Sequence, residues 1–135
     1  MGENQFLVDT DILIAYLNRR FYRNYLENPL NRIYYSAVTK KELLSKQGLK
    51  ASERQAILNL LGRFRLVRID QSIAKEYSRL RESDVSLAKG DALIAASALV
   101  RKIPLLTQNV RHFRGVRGLV LLPLEITGAF PIVTP

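Results

Sequence analysis

The amino-acid sequence predicts an α/β fold with a central parallel sheet of about five strands. Short apolar segments of strand length alternate with segments of helical pattern, which is typical of βαβ units. The first apolar segment begins at Phe6, meets two acidic residues, Asp9 and Asp11, and continues apolar to Ile14. Such a run is typical of a strand buried in a parallel sheet. With 135 residues, the chain is long enough for one domain with a substantial core.

Strands and helices alternate along the predicted fold. Strands are predicted at 6–9, 33–36, 66–69, 103–107 and 118–122, and helices at 12–20, 37–47, 52–61, 73–82 and 92–100. Gly48 is expected to end the second helix as its C′ residue. The last helix is apolar nearly all round, which predicts a buried, central position. We expect one domain over residues 1–125 and a C-terminal tail, 126–135, of unknown role.

The composition favours a polyanionic partner. The chain has 21 lysines and arginines against 12 acidic residues, so its formal net charge is +9. Such a positive field favours nucleic acid, although it also serves solubility. The absence of cysteine excludes disulfides and thiolate metal sites and fits a reducing compartment. No signal-peptide pattern or membrane-length apolar stretch is visible, so we expect a cytoplasmic protein without membrane contact.

Two aspartates stand at the end of the first predicted strand. Asp9 lies where the strand gives way to a helix, and Asp11 follows two residues later. In open α/β sheets, ligands bind beyond the carboxyl ends of the strands, so a carboxylate held there suits a positive ligand. Both aspartates are also good N-cap residues for the helix at 12–20. Their position alone leaves both interpretations open.

Further polar residues interrupt the later apolar segments. Glu42 lies three residues after Thr39, which is the spacing of a capping box and also places both side chains on one helix face. Asp91 stands at the start of the buried helix, where it can cap the helix, lie at the positive end of the helix dipole or face a metal. Thr107 and Asn109 follow the fourth strand, at the edge of the sheet where the first strand also ends.

Together these side chains offer only oxygen ligands. Carboxylate and amide oxygens suit Mg²⁺ or Mn²⁺, which retain water ligands and bind phosphate oxygens. Carboxylates that shared an empty site would repel one another, so a cation explains the cluster better than folding stability does. Beside a basic surface, such an ion suggests hydrolysis of a phosphodiester by metal-activated water.

Four motifs resemble, in order, those of PIN domains. They are Phe-Leu-Val-Asp9-Thr-Asp11-Ile-Leu-Ile, Ser36-x-x-Thr39-x-x-Glu42-Leu, Gly-Asp91-Ala-Leu-Ile-Ala-Ala and Leu-Leu-Thr107-x-Asn109-x-x-x-Phe113. The resemblance is closest to VapC-type toxin ribonucleases of prokaryotic toxin–antitoxin pairs and covers Phe6 to about Leu124. It implies a three-layer α/β/α sandwich that usually forms a homodimer. It also implies Mg²⁺- or Mn²⁺-dependent endoribonuclease activity on RNA, neutralised by a small cognate antitoxin.

The resemblance also assigns roles to individual residues. Asp9, Glu42 and Asp91 match the acidic metal-site positions of the family, so they are the expected catalytic metal ligands. Asn109 joins them at a position where many members have a fourth acid, which leaves one negative ligand fewer for a second metal. Thr107 matches the hydroxyl residue after the fourth strand.

Three more residues resemble those that support the acidic site. Asp11 occupies a position often held by asparagine, and is expected as a ligand, a support or a helix cap. Ser36 and Thr39 are expected to support the acids. The lone histidine, His112, is interpreted as part of a packed turn with a solvated edge rather than as a general base.

Basic residues near the motifs are candidates for contacts with the RNA backbone. They are selected only by charge and by proximity in sequence: Arg19, Arg20, Lys40, Lys89 and Arg111. The aromatic residues Phe21 and Tyr25 lie among the first of these, where they pack inward or stack on unpaired bases.

Two alternative functions stay open. The Asp9-Thr-Asp11 segment also resembles the nucleophile and acid–base pair of haloacid-dehalogenase-type phosphatases, although Ala95 stands where the later motif of that family requires an aspartate. A PIN fold can also bind RNA without cleaving it, which loss of the acids would favour. The sequence does not identify the RNA target, the cleavage site or the antitoxin.

Overall fold

The structure, a computed structural model, describes residues 4–83 and 85–124. Its strands are β1 (Asn4–Val8), β2 (Asn31–Ser36), β3 (Arg65–Val67) and β4 (Leu105–Leu106). Its helices are α1 (Thr10–Arg19), α2 (Arg23–Leu26), α3 (Ala37–Leu44), α4 (Ala51–Leu61), α5 (Gln71–Glu82), α6 (Lys89–Arg101) and α7 (Val110–Phe113). The predicted tail, 126–135, lies outside the described residues.

The strands form one parallel sheet in the order β3-β2-β1-β4. The central strand β1 pairs with β2 over its whole length, from Asn4 opposite Asn31 to Val8 opposite Tyr35. On its other side, Leu7 and Val8 pair with Leu105 and Leu106 of β4. Because all the strands run in one direction, their carboxyl ends meet at one edge of the sheet.

The fifth strand predicted at 118–122 is not formed, because too few of its residues pair with the sheet. Only one parallel bridge forms there, between Leu105 and Leu121, flanked by two backbone hydrogen bonds to Leu105. Gly118 has a positive φ of 85°, and Val120 is 59% exposed. The segment therefore lies along the β4 edge for too short a distance to form a strand, and the described residues contain a four-stranded sheet.

Two hydrophobic clusters cover the two faces of this sheet. Side chains alternate along β1, so Phe6 and Val8 enter one cluster and Leu7 enters the other. The first cluster includes buried residues of α1 to α4, and the second includes buried residues of α5 to α7. This confirms the α/β/α layers, with the sheet in the middle.

The helix that carries Glu42 is shorter than predicted. It ends at Leu44 rather than near 47, and Gly48, although its φ is +77°, lies beyond the helix in a separate turn. Its N-cap is Ser36, whose hydroxyl accepts a hydrogen bond from the Val38 N–H at 3.1 Å. Thr39 and Glu42 therefore do not form the capping box, which leaves the Glu42 side chain available for other contacts.

Helix α6 is buried as predicted. Ala92, Ile94, Ala95, Ala96 and Ala98 are almost completely inaccessible to solvent. Their small side chains allow the helix to pack closely against the sheet and against α5. The helix begins at Lys89, two residues before Asp91, so Asp91 belongs to the first turn and is not the N-cap. No helix among the described residues is long and apolar enough to cross a membrane.

Candidate active site

The candidate site lies at the carboxyl ends of the adjacent strands β1 and β4. Asp9 directly follows β1, and Thr107 directly follows β4. The Asp9 N–H donates to the Leu106 carbonyl at 2.9 Å, which continues the pairing of the two strands to this edge. The sheet thus brings together two residues that are 98 positions apart in the sequence.

Asp9 is buried at the centre of the site, with 4% of its surface exposed. One carboxylate oxygen accepts from the Thr10 N–H at 2.8 Å, and the other accepts from the Thr107 hydroxyl at 2.7 Å. Asp9 is also the N-cap of α1, so the cap and the site residue are the same side chain. Its two fixed oxygens give the carboxylate a single orientation.

Burial raises the pKa of Asp9 above its usual value. The hydrogen bonds from Thr107 and Thr10 lower the pKa in part, while the charges of Asp91 and Glu42 raise it further. Repulsion from two other acidic residues shows that the carboxylates act on one another electrostatically. A cation bound among them would remove this cost.

Asp11, in the first turn of α1, also faces the site. Its Oδ2 accepts from the Gln108 N–H at 3.1 Å, whereas its Oδ1 is buried without a hydrogen-bond partner in the structure. Burial, followed by repulsion from Asp9, raises the pKa of Asp11 to about 7. A buried oxygen without a partner is uncommon and indicates a missing donor or ligand.

Glu42 reaches the site from α3 and is held by two threonines. The Thr10 hydroxyl donates to Glu42 Oε1 at 2.5 Å and lies 2.9 Å from the Thr39 hydroxyl, which is fully buried. Thr39 therefore contacts Thr10, which in turn holds Glu42. Ser36 supports Glu42 less directly, because it is the N-cap of α3, the helix that carries Glu42.

Gly90 allows α6 to approach Glu42. A Cβ atom at Gly90 would lie 3.1 Å from Glu42 Oε2 and 3.7 Å from Val38 Cγ1. Any side chain at this position would therefore push Glu42 away from the beginning of α6. The next residue, Asp91, is partly exposed and borders the same space from the first turn of α6.

His112 lies beside Asp91. Its Nδ1 is 3.6 Å from Asp91 Oδ2, and its side chain is 59% exposed. The predicted packed turn is present, since Phe113 is 1% exposed, but the sequence did not indicate that the histidine reaches an acidic site residue. This contact places α7 at the rim of the site.

An open cleft connects these residues. Its volume is about 360 Å³, and its lining consists of Asp9, Thr10, Asp11, Ile14, Glu42, Asp91 and Asn109. Each of the four predicted catalytic residues, Asp9, Glu42, Asp91 and Asn109, therefore faces one space. Thr107 and Thr39 lie behind this lining, where they orient Asp9 and Glu42.

Comparison with known proteins identifies the fold family. Residues 6–119 match the PIN domain. The chain belongs to the PIN-domain family. The PIN domain is 30% identical over 120 residues to Ribonuclease VapC1 of Methanocaldococcus jannaschii, across 85% of this chain and 83% of that protein. It is 36% identical over 117 residues to Ribonuclease VapC10 of Mycobacterium tuberculosis, across 79% of this chain and 84% of that protein.

Solved structures share the fold of this PIN domain. A toxin–antitoxin complex from Klebsiella pneumoniae contains a chain with 33% identity and a TM-score of 0.70, covering 84% of this chain and 94% of that one. A DNA-bound VapBC structure from Salmonella typhimurium gives a TM-score of 0.75, at coverages of 88% and 97%. Its identity is 19%, so that likeness shows the fold alone. The predicted resemblance is confirmed, and the phosphatase alternative has no support from these relatives.

The donor set of the PIN domain fits a divalent cation in its chemistry. The lining offers carboxylate and amide oxygens, and the unpartnered Asp11 Oδ1 adds a buried acceptor beside them. Among residues 4–83 and 85–124, no three acidic or histidine side chains are already arranged closely enough to hold an ion. Glu42 is exposed, and its Oε1 accepts from the Thr10 hydroxyl.

The basic candidates do not line the cleft of the PIN domain. Arg19 and Arg20 lie at the far end of α1, about 14 Å along the helix from its acidic start. Arg20 donates to the Tyr16 hydroxyl at 2.7 Å, so its guanidinium is engaged there. Lys40, Lys89 and Arg111 are exposed and each lies within two residues of a cleft residue.

Sequence reasoning missed three residues that hold the site. The Thr10 hydroxyl donates to Glu42, and the Gln108 N–H donates to Asp11. The third residue, Gly90, leaves space for the Glu42 side chain. The position of Gly90 directly before Asp91 at a helix start was a usable signal, since glycine is expensive inside helices. The backbone N–H of Gln108 carries no signal in a sequence.

Proposed function

We propose that this PIN domain is a metal-dependent endoribonuclease and the toxin of a type II toxin–antitoxin pair. The observation that carries the proposal is the cleft in which Asp9, Glu42, Asp91 and Asn109 face one another. Similarity to two proteins named Ribonuclease VapC supports RNA as the substrate. The family resemblance implies dependence on a divalent metal, and Mg²⁺ or Mn²⁺ suits the oxygen ligands that line the cleft.

Asp9, Glu42 and Asp91 would hold the ion, with Asn109 and Asp11 beside them. When bound, a divalent ion lowers the pKa of a water molecule and stabilises negative charge on the scissile phosphate. The protein fixes Asp9 through Thr107 and Thr10, so one ligand is oriented before any ion arrives. We propose single-stranded or looped RNA as the substrate.

A cleavage assay with and without metal tests this function. Purified protein is expected to cut single-stranded RNA with Mg²⁺ or Mn²⁺, and to stop when EDTA is in excess. Restoring the ion beyond the EDTA concentration should restore cleavage. Cleavage that continues unchanged in EDTA would contradict the proposal. RNA binding without cleavage under any metal condition would favour the alternative of a non-catalytic RNA-binding module.

Gly90→Ala tests the placement of Glu42 in the catalytic group. The added methyl would meet Glu42 Oε2, the end of an exposed and flexible side chain, so the fold and its thermal midpoint should change little. The contact requires Glu42 to move by a few tenths of an ångström, so we expect cleavage to fall about threefold, since a displacement of about 1 Å costs about a hundredfold. Gly62→Ala is the matched control, since Gly62 follows α4 outside the acidic cleft, its φ is −63°, and a Cβ there has its nearest contact at 3.4 Å. Full activity of Gly90→Ala would remove Glu42 from the proposed site.

A second groove supports a small antitoxin as the partner. It has a volume of about 450 Å³ and is lined mainly by apolar residues of α1, α3 and α4, including Leu17, Leu43 and Ile57. Ile14 and Glu42 border both this groove and the acidic cleft, so the two are continuous. We propose that the antitoxin places an apolar segment here and a cationic side chain among the acids.

Two further features follow from the family resemblance and are part of the proposal. The protein is expected to form a homodimer, which sedimentation analysis would detect. A cytoplasmic location is also expected, because the proposed RNA substrate and antitoxin are intracellular.

A further inference from the structure

The segment after Asn109 carries a regular row of arginines. Arg111, Arg114 and Arg117 recur at every third position, and all three side chains are exposed. Between them, Phe113 and Val116 are 1% and 3% exposed and belong to the core cluster that covers one face of the sheet. We call Arg111, Arg114 and Arg117 the arginine row.

Backbone hydrogen bonds fix this segment to the fold. The Val116 N–H donates to the Phe113 carbonyl at 3.0 Å, and the Leu119 N–H donates to the Val116 carbonyl at 3.3 Å. Two successive turns of three residues therefore repeat the same orientation, with the apolar anchors inward and the arginines outward. The backbone of the row is therefore anchored to the core, and its arginine side chains are exposed.

The arginine row begins at the acidic cleft. Asn109, the N-cap of α7, lines the cleft, and His112 on the same helix lies beside Asp91. At its other end, Arg117 and Gly115 border a second surface cleft of about 240 Å³, which Arg79 also lines. The row therefore extends from the proposed cleavage site to a more distant depression, at which, among the described residues, Arg79 is paired with Glu76 and Arg117 is not.

No anionic side chain neutralises this row within the described part of the chain. The ion pairs found there involve Arg20, Arg23, Lys46, Arg79 and His112, and none includes Arg111, Arg114 or Arg117. Three adjacent positive charges without acidic partners repel one another, so an anion with several regularly spaced charges suits them better than a single ion does. Such an anion is a phosphodiester backbone.

We propose that the arginine row holds the backbone of the RNA on one side of the scissile phosphate. This proposal rests on the proposed ribonuclease function. The row would contact successive phosphates and no base edges, so it fixes the position of the strand without selecting its sequence. RNA that extends beyond the cleft in this direction would bind more tightly than RNA that ends within it.

The test is the binding of a fluorescein-labelled single-stranded RNA, measured by anisotropy in EDTA to prevent cleavage. The triple variant Arg111→Gln/Arg114→Gln/Arg117→Gln is expected to raise the Kd about 100-fold at 0.1 M salt. The slope of log K against log salt should become shallower by about 2, because each phosphate contact on a single strand contributes about 0.7.

A variant with the same loss of charge elsewhere provides the matched control. Arg54, Arg63 and Arg65 are exposed on α4, on the turn that follows it and on β3, where none of them lines the acidic cleft. Replacing these three by glutamine should change the Kd less than threefold. Equal losses of RNA affinity in both triple variants would show that only net charge matters and would overturn the proposed role of the arginine row.

Two further outcomes separate this proposal from the ribonuclease function. If the wild-type protein cuts RNA and the arginine-row variant binds RNA as tightly as the wild type, the proposed role of the arginine row is wrong and the ribonuclease function is retained. If the wild-type protein neither binds nor cuts RNA, both are wrong. Thermal melts of both triple variants show whether each is folded. The single variant Arg114→Gln changes one exposed side chain and repeats the binding test, with an expected loss of RNA affinity of about fivefold.

Discussion

Replacing Asp9 with asparagine is expected to lower RNA cleavage by about a thousandfold or more without unfolding the protein. Asp9 is the buried carboxylate at the centre of the cleft, and its two oxygens are fixed by Thr10 and Thr107. Asparagine retains the shape of the side chain and an oxygen that can cap α1, since the two residues cap helices about equally well. It removes the negative charge. Binding a cation requires that charge, whereas capping the helix does not.

Cleavage by the Asp9→Asn protein separates this role from simple capping, because its stability is expected to be preserved in either case. Because burial and the neighbouring acids raise the pKa of Asp9, its ionised form is costly in the metal-free fold. The variant should therefore unfold at the same denaturant concentration as the wild type in EDTA, or at a higher one. If Asp9 were only a cap, asparagine would preserve both stability and cleavage.

Asp70→Asn is the matched control for this substitution. Asp70 caps α5 by accepting from the Ile73 N–H at 2.9 Å and does not line the acidic cleft. The same change of charge and shape there should leave cleavage within a factor of two of the wild type. Cleavage by Asp9→Asn at more than a tenth of the wild-type rate would contradict the assignment.

The second large effect is the pH dependence of stability without metal. The pKa of Asp11 is about 7 in the folded protein against 3.8 for an unperturbed side chain, so the folded state binds a proton more tightly. The free energy of unfolding should therefore fall as the pH rises from about 4 to about 7, and then level off. A rise in pKa from 3.8 to about 7 corresponds to about 4 kcal/mol.

Other acidic residues do not mask this effect. The pKa values of Glu27 and Glu53 are lowered by hydrogen bonds, so these residues lose their stabilising contribution only as the pH falls below about 4.5. Between pH 5 and 7 the slope should come from Asp11 together with Asp9, whose pKa is also raised. Urea unfolding in EDTA at several pH values measures the slope.

Asp11→Asn should remove most of this slope, whereas Asp70→Asn should retain it. Adding Mn²⁺ should stabilise the wild type most at pH 7 and above, where the acids are ionised, by about 3 kcal/mol at a hundredfold excess over the Kd. A flat profile between pH 5 and 7 in EDTA would show that Asp11 is not strained by its surroundings in the folded protein.

The sequence predicted the positions of the acids well because local rules govern them. An apolar run that ends at Asp9 places that residue at the end of a strand, and parallel strands end at a common edge. The two interpretations of Asp9, cap and site residue, turned out to be compatible, since the structure uses it as the N-cap inside the cleft. The parallel sheet followed from the alternation of strands and helices, and the α/β/α layers followed from the family resemblance.

Tertiary contacts explain what the sequence could not predict. The link from Thr39 through Thr10 to Glu42 joins residues about 30 positions apart, and no local spacing encodes it. The contact of His112 with Asp91 depends on how α7 packs beside α6. The segment 118–122 has the composition of a strand, but the edge strand β4 offers it only two residues for pairing.

Direct binding of Mn²⁺ in the absence of RNA tests the central claim that the acids form one catalytic metal site. Electron paramagnetic resonance measures the concentration of free Mn²⁺ while the ion is titrated into the wild type, Asp91→Asn or Glu42→Gln. We expect the wild type to bind Mn²⁺ and each variant to bind at least about tenfold more weakly, with cleavage reduced in parallel. Equal Mn²⁺ affinity in all three proteins would contradict the metal site.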